Sequence, residues 1–244
     1  MEIENVRRKA RELREVLSLK TFPVGVKLLK EPSKLDAKRL KGYRYCQALM
    51  RARHGEHVLI GREDLSCAAA SAVFGFKPMP ESFKTGEQSV NIGIAKDKEV
   101  GAKIYEEVLS FAPGEISEIY LFPLETAILE PDVVIVEDKV ERLMWIVLAY
   151  INAIGGERVQ PNTAVMRATC LDCTAIPFKT QKINISLGCY GCRSATDIED
   201  DEALVGFPFK YFESVVDYVK LFSEKAIPNA RSKKVFKALQ EKGV

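Results

Sequence analysis

The sequence lacks the features that would direct it to nucleic acid, to a membrane or into the secretory route. Its formal net charge is only +2, so it carries no strong field that would attract nucleic acid or an anionic bilayer. Its longest apolar run, residues 143–154, is too short to cross a membrane. Residues 1–5 lack the basic and apolar regions of a secretory signal. We therefore expect a cytoplasmic protein with no nucleic-acid partner and no membrane partner.

Motifs of several common enzyme classes are missing as well. The chain has no P-loop, no glycine-rich dinucleotide fingerprint after a strand, no nucleophile elbow and no HExxH zinc motif. Phosphoryl transfer, dinucleotide binding and serine hydrolysis therefore have no support. Histidine is scarce, since His54 and His57 are the only two. They flank Gly55 at the predicted C-terminal end of a helix, where a histidine interacts favourably with the helix dipole.

What is present is an ordinary globular composition, with 47% hydrophobic and 29% charged residues in a chain of 244. Predicted strands alternate with predicted helices, which favours the α/β class. Two parts of the chain also match each other in order. The matching segments are residues 55–58, 66–73, 83–85, 90–94 and 121–124 in the first part, and 156–159, 169–176, 178–180, 183–187 and 206–209 in the second.

This repetition predicts an internally duplicated mixed sheet with flanking helices, whose two halves share one core. Residues 1–21 are assigned to an N-terminal helix and residues 22–130 to the first α/β half. Residues 131–219 form the second half, which carries both CxxC pairs, and residues 220–244 form C-terminal helices. A strand is predicted at residues 90–95, in the first copy of the repeat.

The six cysteines are the strongest chemical signal, because a cytosolic chain uses cysteine for metal or redox chemistry more often than for structural disulfides. One possible set is local. Cys170 and Cys173 form one CxxC pair, Cys189 and Cys192 form another, and their spacing is typical of a four-thiolate zinc site. A CxxC pair is also the motif of dithiol redox chemistry.

The duplication favours a second set that crosses the two halves. Ser66 and Thr169 are candidate N-caps, which would put Cys67 and Cys170 in the first turns of equivalent short helices and lower the pKa of both thiols. Cys46 and Cys189 would complete a set of four ligands for an iron–sulfur cluster or for zinc. The simpler alternative is that the cysteines are buried as small apolar side chains.

Arg193 follows Cys192 directly and is the candidate cofactor-binding residue, because a guanidinium balances thiolate charge or holds an anionic ligand. The leading hypothesis is a cysteine-ligated metal centre, with an iron–sulfur cluster favoured over zinc, and with a redox partner or a small-molecule ligand. The alternatives are a small-molecule-binding protein with a cleft between the halves and structural zinc, and a thiol oxidoreductase. No catalytic residue and no oligomeric state can be assigned.

Several motifs occur together in a distinctive order: YCQA at residues 45–48, EDLSC at 63–67, NISLGCYGCR at 184–193 and GFP at 206–208. In this order they resemble DUF169, a family of uncharacterised prokaryotic and often archaeal proteins. The resemblance extends roughly from residue 22 to residue 219. It implies a single α/β unit in a prokaryotic cytosol. It also implies that Cys46, Cys67, Cys170 and Cys189 match the family pattern better than the other two cysteines.

Overall fold

The structure, a computed structural model, describes residues 1–106 and 109–242. Its strands are β1 (Val24–Leu29), β2 (Lys38–Arg39), β3 (Val58–Gly61), β4 (Glu118–Pro123), β5 (Val133–Lys139), β6 (Asn184–Ser186) and β7 (Glu202–Pro208). Its α-helices are α1 (Ile3–Leu17), α2 (Tyr45–Arg53), α3 (Ala68–Val73), α4 (Glu81–Lys84), α5 (Glu87–Asn91), α6 (Lys98–Tyr105), α7 (Val140–Ala153), α8 (Ile176–Thr180), α9 (Tyr190–Arg193), α10 (Phe212–Glu224), α11 (Ala226–Ser232) and α12 (Lys234–Gln240). Single 3₁₀ turns follow β4 and β7, and a π-helical segment, Ala168–Ala175, leads into α8.

The seven strands form one sheet in the order β2-β3-β4-β1-β5-β7-β6. Within the described residues, β2 and β3 pair in parallel and the other neighbours pair antiparallel. The centre is fixed by β1, whose Val24 lies opposite Pro123 of β4 on one side and Ile135 of β5 on the other. The predicted α/β class with a mixed sheet and flanking helices is therefore confirmed.

Both faces of the sheet are buried, which explains why β4 and β7 are apolar almost throughout instead of alternating. On one face, Leu121 and Leu204 pack with α2, α3 and the π-helical segment. On the other face, Tyr120 and Val205 pack with α1, α7 and α10. Each core thus draws residues from both parts of the chain, in a helix–sheet–helix arrangement. Within the described residues, none of the helices combines the length and the apolar character that crossing a bilayer requires.

The strands repeat their pairing, although the sequence match does not follow it throughout. The sets β3-β4-β1 and β6-β7-β5 pair in the same antiparallel order, and β1 and β5 meet antiparallel at the centre. However, residues 90–94 were matched with residues 183–187, and only the latter contain a strand. Duplication of an ancestral half therefore stays a prediction.

The strand predicted at residues 90–95 is wrong, because the chain there forms α5 and the turn after it. Its β-rich composition is overridden by packing between α5 and α6. Buried Ser89 donates to the carbonyl of Gly101, 3.2 Å away. A Cβ at Gly101 would lie 2.6 Å from the carbonyl oxygen of Gly86, so the close approach of these segments requires glycine.

A buried arginine joins α2 to the sheet. Arg53, the last residue of α2, is 1% exposed, and its Nη2 lies 3.0 Å from Glu137 of β5 and 2.5 Å from Asp197. Glu202, the first residue of β7, lies 3.8 Å from its Nη1. The ring of His54 reaches Asp197 at 2.6 Å. This group of charges connects α2 with β5, β7 and the segment that follows α9.

Replacing Arg53 with methionine is expected to lower the free energy of unfolding by about 3–5 kcal/mol, because buried carboxylates lose their counter-charge. Chemical denaturation checks this. The exposed Arg62 provides the control, since R62M is expected to change stability by less than about 0.5 kcal/mol. Equal stability of the two variants would show that the buried ion pairs do not hold α2 in place.

Glu137 makes stability depend on pH. Burial raises the pKa of Glu137 to about 7, against the opposing effect of Arg53. The folded protein then holds this proton more tightly than the unfolded chain does, so this group's contribution falls as pH rises from about 4.5 to about 7. E137Q is expected to flatten the stability curve in that window by at most about 3 kcal/mol, whereas E63Q, at an exposed position, leaves it unchanged. Parallel curves for wild type and E137Q would contradict this assignment.

Candidate functional site

Five of the six cysteines border a single cavity of about 440 Å³. They are Cys46, Cys67, Cys170, Cys189 and Cys192. The cavity lies on the sheet face that α2, α3 and the π-helical segment cover, and both parts of the chain contribute to its wall. The structure therefore brings together the whole predicted cross-half set, together with one further thiol from the second CxxC pair.

Each cysteine is positioned at or near the start of a helix. Cys46 is the second residue of α2, and Cys67 and Cys189 are the N-cap residues of α3 and α9. Cys67 follows β3 and Cys189 follows β6, which occupy corresponding places in the two strand sets. Cys170 is the third residue of the π-helical segment. The scaffold thus delivers thiols from four separate segments to one space.

Two of the thiols on the cavity wall, those of Cys189 and Cys192, lie close together. The sulfur atoms of Cys189 and Cys192 are 3.2 Å apart, and the Cys192 N–H donates to the Cys189 sulfur at 3.4 Å. The hydrogen bond with Cys192 and burial raise the pKa of Cys189. Cys189 lowers the pKa of Cys192, whereas Cys46 and burial raise it, to about 12. Cys189 and Cys192 are therefore protonated at neutral pH in this structure.

The expected lowering of the pKa of Cys170 is wrong. Burial, followed by the neighbouring Cys67, raises that pKa well above the ordinary value. The thiol donates to the carbonyl of Arg167 at 3.5 Å and is only 5% exposed. Thr169 does not cap an α-helix, because it lies inside the π-helical segment, and no side chain caps α3. Desolvation therefore decides the protonation of Cys170.

Cys173 lies outside the cavity, on the sheet side of the π-helical segment. Its side chain is fully buried. A Cβ on Gly206 of β7 would lie 2.1 Å from the Cys173 carbonyl oxygen, so the segment rests directly on the strand. The two CxxC pairs consequently do not border one common space. Among the described residues, no three His, Cys, Asp or Glu side chains are arranged to hold a metal ion in this structure.

Arg193 has a structural place in this fold. Its guanidinium donates to the carbonyls of Leu187, Glu199 and Glu202 at 2.6–3.1 Å, and it does not border the cavity. The arginines that do border it are Arg44 and Arg167. Sequence reasoning missed both arginines. The one available signal was their position shortly before a cysteine, Arg44 two residues before Cys46 and Arg167 three residues before Cys170.

The π-helical segment is held by side chains that replace regular helical bonding. Thr174 donates to the carbonyl of Thr169 at 2.7 Å and is 2.9 Å from the hydroxyl of Tyr45 on α2. Asn184 of β6 donates to the carbonyl of Asp172 at 2.9 Å. π-Helical turns are rare and occur frequently at functional sites. Here the turn positions Cys170 towards the cavity and Cys173 towards the sheet.

The chain belongs to the DUF169 family, since the family model, described as uncharacterised ArCR, matches residues 12–218. It is also similar to the uncharacterized protein MJ0308 of Methanocaldococcus jannaschii. The two are 26% identical over 233 residues, which cover 92% of this chain and 97% of the relative. No solved structure matches the chain. The predicted family is therefore confirmed, and an archaeal relative shares nearly the full length.

Burial predicts an order of thiol reactivity. Alkylation of the reduced, native protein with iodoacetamide is expected to modify Cys67 first, because it is the one partly exposed cysteine among the described residues, and Cys173 last. Peptide mass mapping over time measures the order. In denaturant all six thiols are expected to react at similar rates. Faster reaction at Cys189 than at Cys67 would contradict the burial of the CxxC sulfurs.

Proposed function

We propose that the protein binds an iron–sulfur cluster in the cysteine-lined cavity, with Cys46, Cys67, Cys170 and Cys189 as the protein ligands. The observation that carries the proposal is the convergence of five cysteines from four segments on one space. Thiolates are soft ligands, and four of them are what a [4Fe–4S] cluster takes from a protein. The cytoplasm, which the sequence predicts as the compartment, would keep these thiols reduced.

The size of the cavity favours a cluster over a single ion. At about 440 Å³ it is in the range of small-ligand sites. A zinc ion with four thiolates would instead draw every sulfur to about 2.3 Å from one centre. The sulfurs of Cys189 and Cys192 are close together, but among the described residues no three His, Cys, Asp or Glu side chains are arranged to hold a single ion. Zinc therefore ranks behind a cluster as the metal.

Cluster binding would release protons. The thiols of Cys170, Cys189 and Cys192 have raised pKa values. Each ligand must lose its proton to coordinate iron, so the apparent affinity rises with pH. With a cluster in place, the site would transfer electrons to a redox partner or bind a small ligand at iron.

A second candidate function is thiol–disulfide exchange at Cys189 and Cys192. The separation of 3.2 Å between their sulfurs favours it, because a modest rotation would bring them to disulfide distance. The raised pKa of both thiols opposes it, since a thiolate is the attacking species. Trapping a mixed disulfide at Cys189 in a C192A variant would support this alternative.

Anaerobic reconstitution with iron and sulfide tests the cluster directly. We expect about four irons and four sulfides per chain and a broad visible absorption. C67A, C170A and C189A are each expected to lose most of that absorption, because each removes a ligand. Comparing C46A with C192A identifies the fourth ligand. The proposal expects C46A to lose the cluster and C192A to retain it.

C173A is the matched control, because Cys173 is equally buried but lies outside the cavity. It is expected to retain the cluster, with circular dichroism confirming that every variant is folded. A colourless protein that carries one equivalent of zinc and no iron would contradict the cluster. Loss of absorption in C173A to the same extent as in C170A would contradict the ligand assignment.

A further inference from the structure

Arg167 is a buried cation at the cavity wall, and two of its side-chain nitrogens have no partner among the residues that the structure describes. It is 5% exposed, and Nη2 donates to the carbonyls of Ile104 and Glu106 at 3.3 and 3.1 Å. Its Nε and Nη1 are buried and have no hydrogen-bond partner among the described residues. The guanidinium also lies 5.6 Å from the centre of the Tyr105 ring. A buried guanidinium with unsatisfied donors is costly unless an anion meets it.

The backbone also holds Arg167 in an unfavourable conformation. Its φ is +60°, in the left-handed region, and Val165 nearby has a φ of +55°. Such values are uncommon for residues other than glycine, and rarest for β-branched ones such as valine. They cost free energy and cluster at ligand sites, where the surrounding structure maintains them. In this conformation Arg167 borders the cavity, and its carbonyl accepts a hydrogen bond from the Cys170 thiol at 3.5 Å.

The charged residues of the cavity wall also favour an anion. The described residues that border the cavity include the two guanidinium groups of Arg44 and Arg167, and none of them is an aspartate or a glutamate. Arg44 lies at the exposed side, where it donates to the carbonyl of Gly191 at 3.3 Å. The wall therefore favours a negatively charged occupant over a cation or a neutral molecule.

We infer that the cavity binds a small oxyanion, a carboxylate or a tetrahedral oxoacid, through Arg167, with Arg44 at the entrance. The inference deepens the proposed function, on which it rests, because it names the class of ligand that would reach the cluster. When the guanidinium turns towards the cavity, the oxygen atoms of such an anion accept from Nε and Nη1, which are buried in this structure, and this completes the hydrogen bonding of the guanidinium. The adjacent thiols would then hold the cluster beside the bound anion.

Calorimetric titration of acetate and of sulfate, in chloride-free buffer, tests this inference on cluster-free and on reconstituted protein. At least one of the two anions is expected to bind saturably. Tighter binding of acetate would indicate a carboxylate ligand, and tighter binding of sulfate would indicate a tetrahedral oxoacid. R167Q is expected to weaken binding at least about tenfold, since it removes a charged donor. R62Q, at an exposed position, is expected to bind as wild type does.

R44Q keeps the inference testable if R167Q does not fold, because Arg44 is exposed. It is expected to weaken binding about two- to fivefold, as the loss of an exposed charge would. Absence of saturable binding in both forms of the protein, or equal affinity in wild type and R167Q, would overturn the inference. A cluster without anion binding would overturn it and leave the proposed function intact. Anion binding that depends on Arg167, in a protein that takes up no cluster, would support the anion site and contradict the proposed function.

Discussion

The placement of the cysteines depends on the burial of Arg53 among three carboxylates. Its guanidinium holds the end of α2, which carries Cys46, against Glu137 of the sheet. The same guanidinium holds Asp197, in the segment that follows Cys189 and Cys192. Burying such a group costs several kcal/mol per ion, and the cost is offset only while every partner is present. The ion pairs therefore connect two distant cysteine-bearing segments to one rigid sheet.

These segments meet at the cavity. Its wall combines buried thiols with a buried positive charge. Burial favours neutral thiols, as the raised pKa of Cys170 shows. Arg167 nevertheless brings a positive charge to the same wall, and the described residues leave two of its nitrogens without a hydrogen-bond partner. In the proposed complex, iron would replace the protons of the buried thiols, which would become the ligands of the cluster, and an oxyanion beside it would supply acceptors for the guanidinium. In this account, the unpartnered donors of Arg167 and the convergence of the thiols are the basis for binding.

Sequence patterns predicted the features that depend on local periodicity. The alternation of predicted strands and helices indicated the α/β class, and the seven-stranded mixed sheet with flanking helices confirms it. Features that depend on tertiary contact were not predictable in this way. The β-rich residues 90–94 lie in and after α5 because of the glycine contact with α6. Arg193 donates to backbone carbonyls, whereas Arg167 reaches the cavity, and only the packed structure distinguishes the two.

X-ray absorption at the iron K-edge of the reconstituted protein is the most direct test of the account, because it reports the atoms around iron. The account predicts sulfur as the nearest neighbour of iron, together with a short iron–iron distance that marks a cluster. Iron surrounded only by oxygen and nitrogen would mean that the metal is bound elsewhere on the chain. That result would contradict the claim that the cysteine-lined cavity is a metal centre.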